Sequence, residues 1–212
     1  PDEQINDIQK LGVVGGFQIA STVTFGYSFL IASFTLFLIK ERISNAKHMQ
    51  YLTGAQPVLF WLSNLVWDLI NYLIPAFICV ILIVAFGIDN YTGNQLKYII
   101  GLFLLYGFAH IPQTYLISYL FQSSSTGFAI NVAWNILSSQ IPIVGVYFLQ
   151  LPALGLTNEG DILEWIFLIF LPNFAFGQGL TDVYTNYEYN NYCGKNNVSS
   201  EFTCEYLSLI HI

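Results

Sequence analysis

Asp68 is the one carboxylate inside a long apolar stretch of this chain. It lies eleven residues beyond Pro57, so a helix rising ~1.5 Å per residue carries it roughly 16 Å deep. A charge at that depth in a bilayer costs at least about 2.5 kcal/mol, so Asp68 needs a partner or a proton. Asn64, Asn71 and Tyr72 fall on its own helical face. His110, near mid-depth of the following apolar stretch, is the candidate across helices. Two roles are open for Asp68: a gating or relay acid, or polar glue between helices, the second being favoured. His110 by itself reads as a packing histidine. His48 lies beside Lys47 in a charged segment and reads as solvated.

No catalytic or metal-binding pattern joins these residues. The Gly-Lys pair is Gly194 and Lys195, and Tyr189 stands where G-x-x-x-x-G-K-[ST] needs its first glycine. G-x-S-x-G and H-E-x-x-H are absent. In Gly177-Gln178-Gly179-Leu180 the fourth residue is not the Asp of an intramembrane aspartyl protease. The three cysteines show no CxxC spacing. Cys79 sits in an apolar run. Cys193 and Cys204 flank an Asn-rich segment and could form a disulfide on an extracytoplasmic face.

The elements that carry these residues are membrane spans. The 212 residues are 55% hydrophobic and 9% charged, against about 25% charged in soluble domains, and the mean hydropathy is +0.57. An ordinary soluble enzyme is excluded on that ground, and disorder by the 18 Phe, 14 Tyr and 4 Trp that need burial. The net charge of −7 argues against nucleic acid as a partner, because phosphate binding needs a basic face. A span needs about 20 mostly apolar residues. Four such stretches are predicted, near 17–39, 58–86, 98–120 and 127–149. Pro75 and Pro112 are expected to kink theirs. Asn131, Asn135 and Gln140 predict that the fourth span faces protein rather than lipid. The apolar run 165–181 is broken by Pro172, Gly177 and Gly179 into halves too short to cross, which predicts a re-entrant hairpin over 160–182. A polar loop is expected over 183–206.

Charge gives the sidedness. Residues 40–56 hold three of the six Lys and Arg residues, which places them in the cytoplasm, as a short amphipathic helix. Residues 87–96 and 150–206 then lie outside, and 122–126 inside. The sequons at Asn90 and Asn197 both fall outside, as do Cys193 and Cys204, so both asparagines are candidate glycosylation sites. Residues 1–16 read as the tail of a preceding extracellular domain, and 207–212 as a translated sequencing-adapter tail.

Within 40–76, Glu41-Arg42, Ala46-Lys47-His48, Gln50, Gly54, Phe60-Trp61, Asn64, Trp67-Asp68 and Asn71-Tyr72 carry a resemblance. Together with 104–107, Pro112, 124–126 and 167–182, the segment resembles the second transmembrane domain of ABC transporters of subfamily A, the lipid exporters. The likeness covers roughly 17–185. It implies an all-α polytopic bundle of four transmembrane helices, here a partial ABC-2-type domain over 17–182, with a cytoplasmic coupling helix and a re-entrant extracellular hairpin.

The resemblance implies that Glu41, Arg42, Lys47, His48 and Gln50 rest on a nucleotide-binding domain. It implies partners in the same full-length chain: that domain, a second one, the first transmembrane domain and a further span. ATP and Mg would be bound there, not in this chain, which is not itself an enzyme. The work implied is movement of phospholipid or sterol across a plasma, endosomal or lysosomal membrane. Gln178 departs from the family pattern, which has Arg between these glycines, and a His at 110 is not part of that pattern. A channel or secondary carrier would call for inverted repeats or more mid-membrane charge. A receptor-like protein would lack the coupling helix. A membrane enzyme would need convergent catalytic residues.

Overall fold

The computed structural model describes residues 2–45, 49, 52, 54, 56–149 and 156–195. All of its described elements are helical. We label them α1 (Asp2–Ile43), α2 (Pro57–Ala85), α3 (Leu96–Ser118), α4 (Ser124–Leu149), α5 (Thr157–Phe170) and α6 (Pro172–Lys195). Two short 3-10 turns, Asp89–Tyr91 and Gly93–Gln95, fill the turn-rich link between α2 and α3. Four segments are long and apolar enough to cross a membrane: Val14–Ile43, Pro57–Ala85, Gly93–Ser118 and Ser124–Leu149. They coincide with the four expected spans.

Burial distinguishes the spans from one another. Half of the first span is buried inside the protein, against 22% of the second, so α1 is the central post and α2 the peripheral one. On α1 the buried residues Ala20, Thr24, Tyr27, Ser28, Ile31, Ala32, Thr35, Leu38 and Ile39 recur every three or four positions. They form a broad stripe packed by α4, α6 and α3. On α2 the fully packed residues reduce to Phe60, Asp68, Tyr72, Ala76 and Ile83, a narrow i, i+4 row. Leu59, Leu62, Val66, Trp67, Ile70, Ile74 and Phe77 on the same helix are exposed. Outward apolar residues are what a hydrocarbon solvent requires. Each helix satisfies its own backbone, and α2, α3 and α4 run on through Pro75, Pro112 and Pro142.

The expected breaks in 165–181 are only partly right. The chain breaks at Leu171, whose backbone is extended (φ −119°, ψ 92°), because a residue before proline is driven out of the helical region. The two helices flanking it are bent by 120°. Gly177 and Gly179 do not break anything; they lie inside α6 and serve packing. A Cβ on Gly177 would come within 2.7 Å of Ile143, and one on Gly179 within 2.7 Å of Leu102. The loop expected from 183 begins as helix, since α6 continues to Lys195. Gly12, Gly15 and Gly16 lie within α1, which runs helically from Asp2. Of the amphipathic segment 40–56, residues 40–43 complete α1, and Met49 and Leu52 are helical and exposed. Lys47, His48, Gln50, Asn197, Cys204 and the tail 207–212 lie outside the described residues.

The α2–α3 seam turns on one close approach. Tyr72 is fully buried and its hydroxyl donates to the Phe103 carbonyl at 2.8 Å. Its ring therefore lies over Gly107, where an added Cβ would come within 2.5 Å of the ring carbon. With its hydroxyl held, the ring has little room to move. Gly107→Val is expected to destabilise the folded bundle by roughly 1–3 kcal/mol through overpacking, read as a lower melting temperature. Tyr72→Leu in the same molecule should recover part of the loss; an additive double variant would locate the clash elsewhere.

Candidate functional site

A polar network lies at the centre of the bundle, where α1, α3, α4 and the start of α6 meet. Asn173 is the second residue of α6 and is buried. Its amide donates to Ser138 Oγ at 2.9 Å and to Asn135 Oδ1 at 3.3 Å. Its Oδ1 accepts from the Tyr106 hydroxyl at 2.7 Å. Asn135 Oδ1 also lies 3.2 Å from His110 Nε2, and its amide donates to the Ser28 carbonyl of α1 at 3.4 Å. His110 Nδ1 stands 2.9 Å from the Gln113 side chain. Its ring stacks on Tyr106, with centroids 5.2 Å apart, and Tyr106 stacks in turn on Phe176 at 4.3 Å.

The polar residues of α4 extend this network along α1. Asn131 donates to Thr35 Oγ1 at 2.6 Å. Gln140 donates to Thr24 Oγ1 at 3.1 Å and to the Ser21 carbonyl at 3.4 Å. The expectation that the fourth span turns its amides toward protein is therefore met. His110 as a partner for Asp68 is not. His110 faces Asn135 of α4, whereas Asp68, 7% exposed, accepts from the Tyr115 hydroxyl at 2.5 Å. The two residues leave α3 on different faces, because five positions on a 3.6-residue turn separate His110 from Tyr115 by more than a quarter of a circle. Asn71 donates to the Trp67 carbonyl of its own helix at 2.9 Å, and the buried amide nitrogen of Asn64 has no protein partner. Neither asparagine reaches Asp68 in the way their shared face predicted.

The two ends of the bundle are also tied. At one end Arg42, in the last turn of α1, donates to the Phe121 carbonyl in the α3–α4 link, and its guanidinium lies 5.5 Å from the Tyr119 ring centroid. Glu41 beside it is half-buried. At the other end Asn90 donates to Glu188 at 2.6 Å, and the fully buried Tyr91 donates to the Leu180 carbonyl at 3.0 Å. Burial and the neighbouring Tyr184 hold the Tyr91 phenol above its usual range. Residues 40–45 and 119–123 thus share one end, and 87–95 shares the other with the far half of α6. Cys193 belongs to that last stretch of α6.

These residues are amides, phenols and hydroxyls, bonded to one another. Among the described residues there is no group of three or more His, Cys, Asp or Glu that could hold a metal. Such an arrangement positions helices; it offers no activated nucleophile beside a base. Asn173 and Tyr106, its main connectors, entered the sequence reading only within the resembling runs 167–182 and 104–107, and Tyr115, the partner of Asp68, was not singled out. A signal existed for Asn173, an amide directly after proline in a mostly apolar run.

Comparison with known proteins gives the family. The family model described as "ABC-2 family transporter protein" matches residues 6–202. The chain is 34% identical over 205 residues to the human "Phospholipid-transporting ATPase ABCA3", a match covering 96% of this chain and 12% of that protein. It is 38% identical over 170 residues to the human "Phospholipid-transporting ATPase ABCA7", covering 79% of this chain and 8% of that protein. It is 36% identical over 186 residues to the mouse "Retinal-specific phospholipid-transporting ATPase ABCA4", covering 85% and 8%. The chain thus spans about an eighth or less of each of these relatives. An all-helical bundle with four apolar spans, matched by the model along nearly its whole length, belongs to the ABC-2 transporter family and is an integral, multi-pass membrane domain.

Proposed function

We propose that this chain is part of the membrane pathway of an ATP-driven transporter that moves phospholipid or sterol across a plasma, endosomal or lysosomal membrane. The observation that carries the reading is the likeness, over 96% of the chain, to a protein named as a phospholipid-transporting ATPase. In this reading residues 40–56 are a cytoplasmic loop whose short coupling helix follows the end of α1. Glu41, Arg42, Lys47, His48 and Gln50 rest on a nucleotide-binding domain, which holds ATP and Mg and lies outside this sequence. That domain, its counterpart and the first transmembrane domain are partners in the same full-length protein.

The bond from Arg42 to the Phe121 carbonyl supports the coupling role. A push on the loop is then delivered to the end of α1 and to the α3–α4 link together, as a rigid-body displacement. The helices α5 and α6 are read as a re-entrant hairpin entering from the extracytoplasmic face. Its tip, near Leu171, is supported by the anchoring of Asn173 on Tyr106, Asn135 and Ser138. Asp68 is read as glue between α2 and α3, with Tyr115 as its partner and Asn64 and Asn71 as polar neighbours. Asn90 and Asn197 are the proposed sugar acceptors. The amide of Asn90 is engaged by Glu188, so a glycan there must be attached before α6 docks. Cys193 and Cys204 are the proposed disulfide of the same outer face.

Three measurements test this reading. In the full-length protein, reversing the charges of Glu41 and Lys47 together should lower lipid movement roughly ten-fold while ATP hydrolysis persists, near the low end of a 1–3 kcal/mol coupling. Unchanged lipid movement defeats the coupling role. For the hairpin, Glu159→Cys and Asn190→Cys should both react with an impermeant maleimide applied from outside. Labelling from opposite sides would turn α5–α6 into a span. Asp68→Asn should keep the bond from Tyr115 and the melting temperature, whereas Asp68→Leu should cost roughly 1–3 kcal/mol by stranding the phenol. Loss of transport in a stably folded Asp68→Asn protein would instead make Asp68 a gating acid.

A further inference from the structure

An apolar groove of about 670 Å³ runs between α2 and α3 on the outer face of the bundle, lined by residues that include Val58, Trp61, Leu65, Tyr115, Leu116 and Tyr119. Val58 lies in the first turn of α2 and Tyr119 caps the end of α3, so the mouth of the groove is at the end of the bundle that carries residues 40–45. The mouth is aromatic. The Trp61 ring lies 5.7 Å from that of Tyr115 and 6.0 Å from that of Tyr119, and such rings belong at the headgroup level of a bilayer. Deeper in, the walls are Leu65, Leu116 and Pro112.

Arg42 sits at this mouth, with its guanidinium 5.5 Å from the Tyr119 centroid. One amino group donates to the Phe121 carbonyl, a neutral acceptor that leaves the positive charge in place. A guanidinium has five N–H donors in a planar fork, and that fork matches the oxygens of a phosphate bidentately. A fixed cation above an apolar channel that opens to hydrocarbon has the polarity of one lipid molecule.

We propose that this groove binds a single glycerophospholipid of the leaflet at that end. Its phosphate lies against Arg42, its glycerol region against Trp61 and Tyr119, and one acyl chain along Leu65 and Leu116 toward Pro112. The site requires only that the bundle is embedded in a bilayer. It does not require ATP or transport, so a failure of the transport reading leaves it standing.

The test uses the full-length protein in phosphatidylcholine vesicles without nucleotide. The vesicles carry a trace of phosphatidylcholine with a photoreactive acyl chain or, separately, diacylglycerol with the same chain. The phosphatidylcholine probe should mark peptides 61–65 and 115–119. Arg42→Gln should lower that yield about five-fold, as expected for the loss of one hydrogen bond to the phosphate, and leave diacylglycerol labelling nearly unchanged. Arg42 also holds the α3–α4 link, so a second variant is needed. Leu62, 53% exposed, borders the groove, and Leu62→Trp should fill it and lower both yields without altering the fold. Equal phosphatidylcholine labelling of Arg42→Gln and the parent would overturn the proposal. So would adducts spread evenly along the exposed face of α2, or a groove occupied by another protein segment.

Discussion

Helices in hydrocarbon gain nothing from burying apolar faces against each other, because lipid tails are as apolar as leucine. What holds such a bundle is close approach and hydrogen bonding, and this domain shows both in separate places. Where α2 meets α3, the contact is a ring over a glycine, Tyr72 on Gly107. Where α1, α4 and α6 meet, it is a line of amides and hydroxyls, from Asn131 on Thr35 to Gln140 on Thr24. Asn173 is the junction. It engages α3 and α4 by side-chain bonds, and Asn135, which it contacts, reaches α1. In lipid a buried amide without partners has no water to fall back on. The same groups that would be a weak contribution in a soluble core therefore select one arrangement here.

The spans were legible because a hydrocarbon layer sets their length and composition so strictly. An uncharged run of 20 residues or more has the dimensions of a bilayer crossing and exceeds what most soluble cores can bury. The inward face of α4 was legible for a related reason: Asn131, Asn135 and Gln140 could not all face lipid. The partner of Asp68 was not. Depth can be counted along a helix, but azimuth across an interface depends on the rotation of both helices. His110 and Tyr115 stand at similar distances in sequence, and only packing decides which side of α3 meets α2. Glycine was misread in 165–181 for a comparable reason. In water Gly177 and Gly179 would weaken a helix; here they admit Ile143 and Leu102 to its surface, and the proline alone breaks the chain. The Asn- and Tyr-rich continuation of α6 to Lys195 looked like loop by composition. Contacts made by Leu180, Tyr184 and Glu188 with the α2–α3 turn support the helix there.

The ties at the two ends are unequal in a way that bears on motion. α1 is 42 residues long, about 63 Å at the usual rise, and takes part at both ends. At one end Gly16 approaches the backbone of Thr181; at the other Arg42 reaches the α3–α4 link. Along its length it is bonded to α4 through four amide contacts with Ser21, Thr24, Ser28 and Thr35. Helices joined at both ends and between move together. α2 is different: it is fixed to α3 by Tyr72 and Asp68 and by aromatic contacts of Trp61, and elsewhere it meets lipid. A displacement entering at residues 40–45 therefore shifts α1, α4 and α6 as a block. α2 follows that block only through its seam with α3, because it touches α1 little, and that seam is where the Arg42 groove opens.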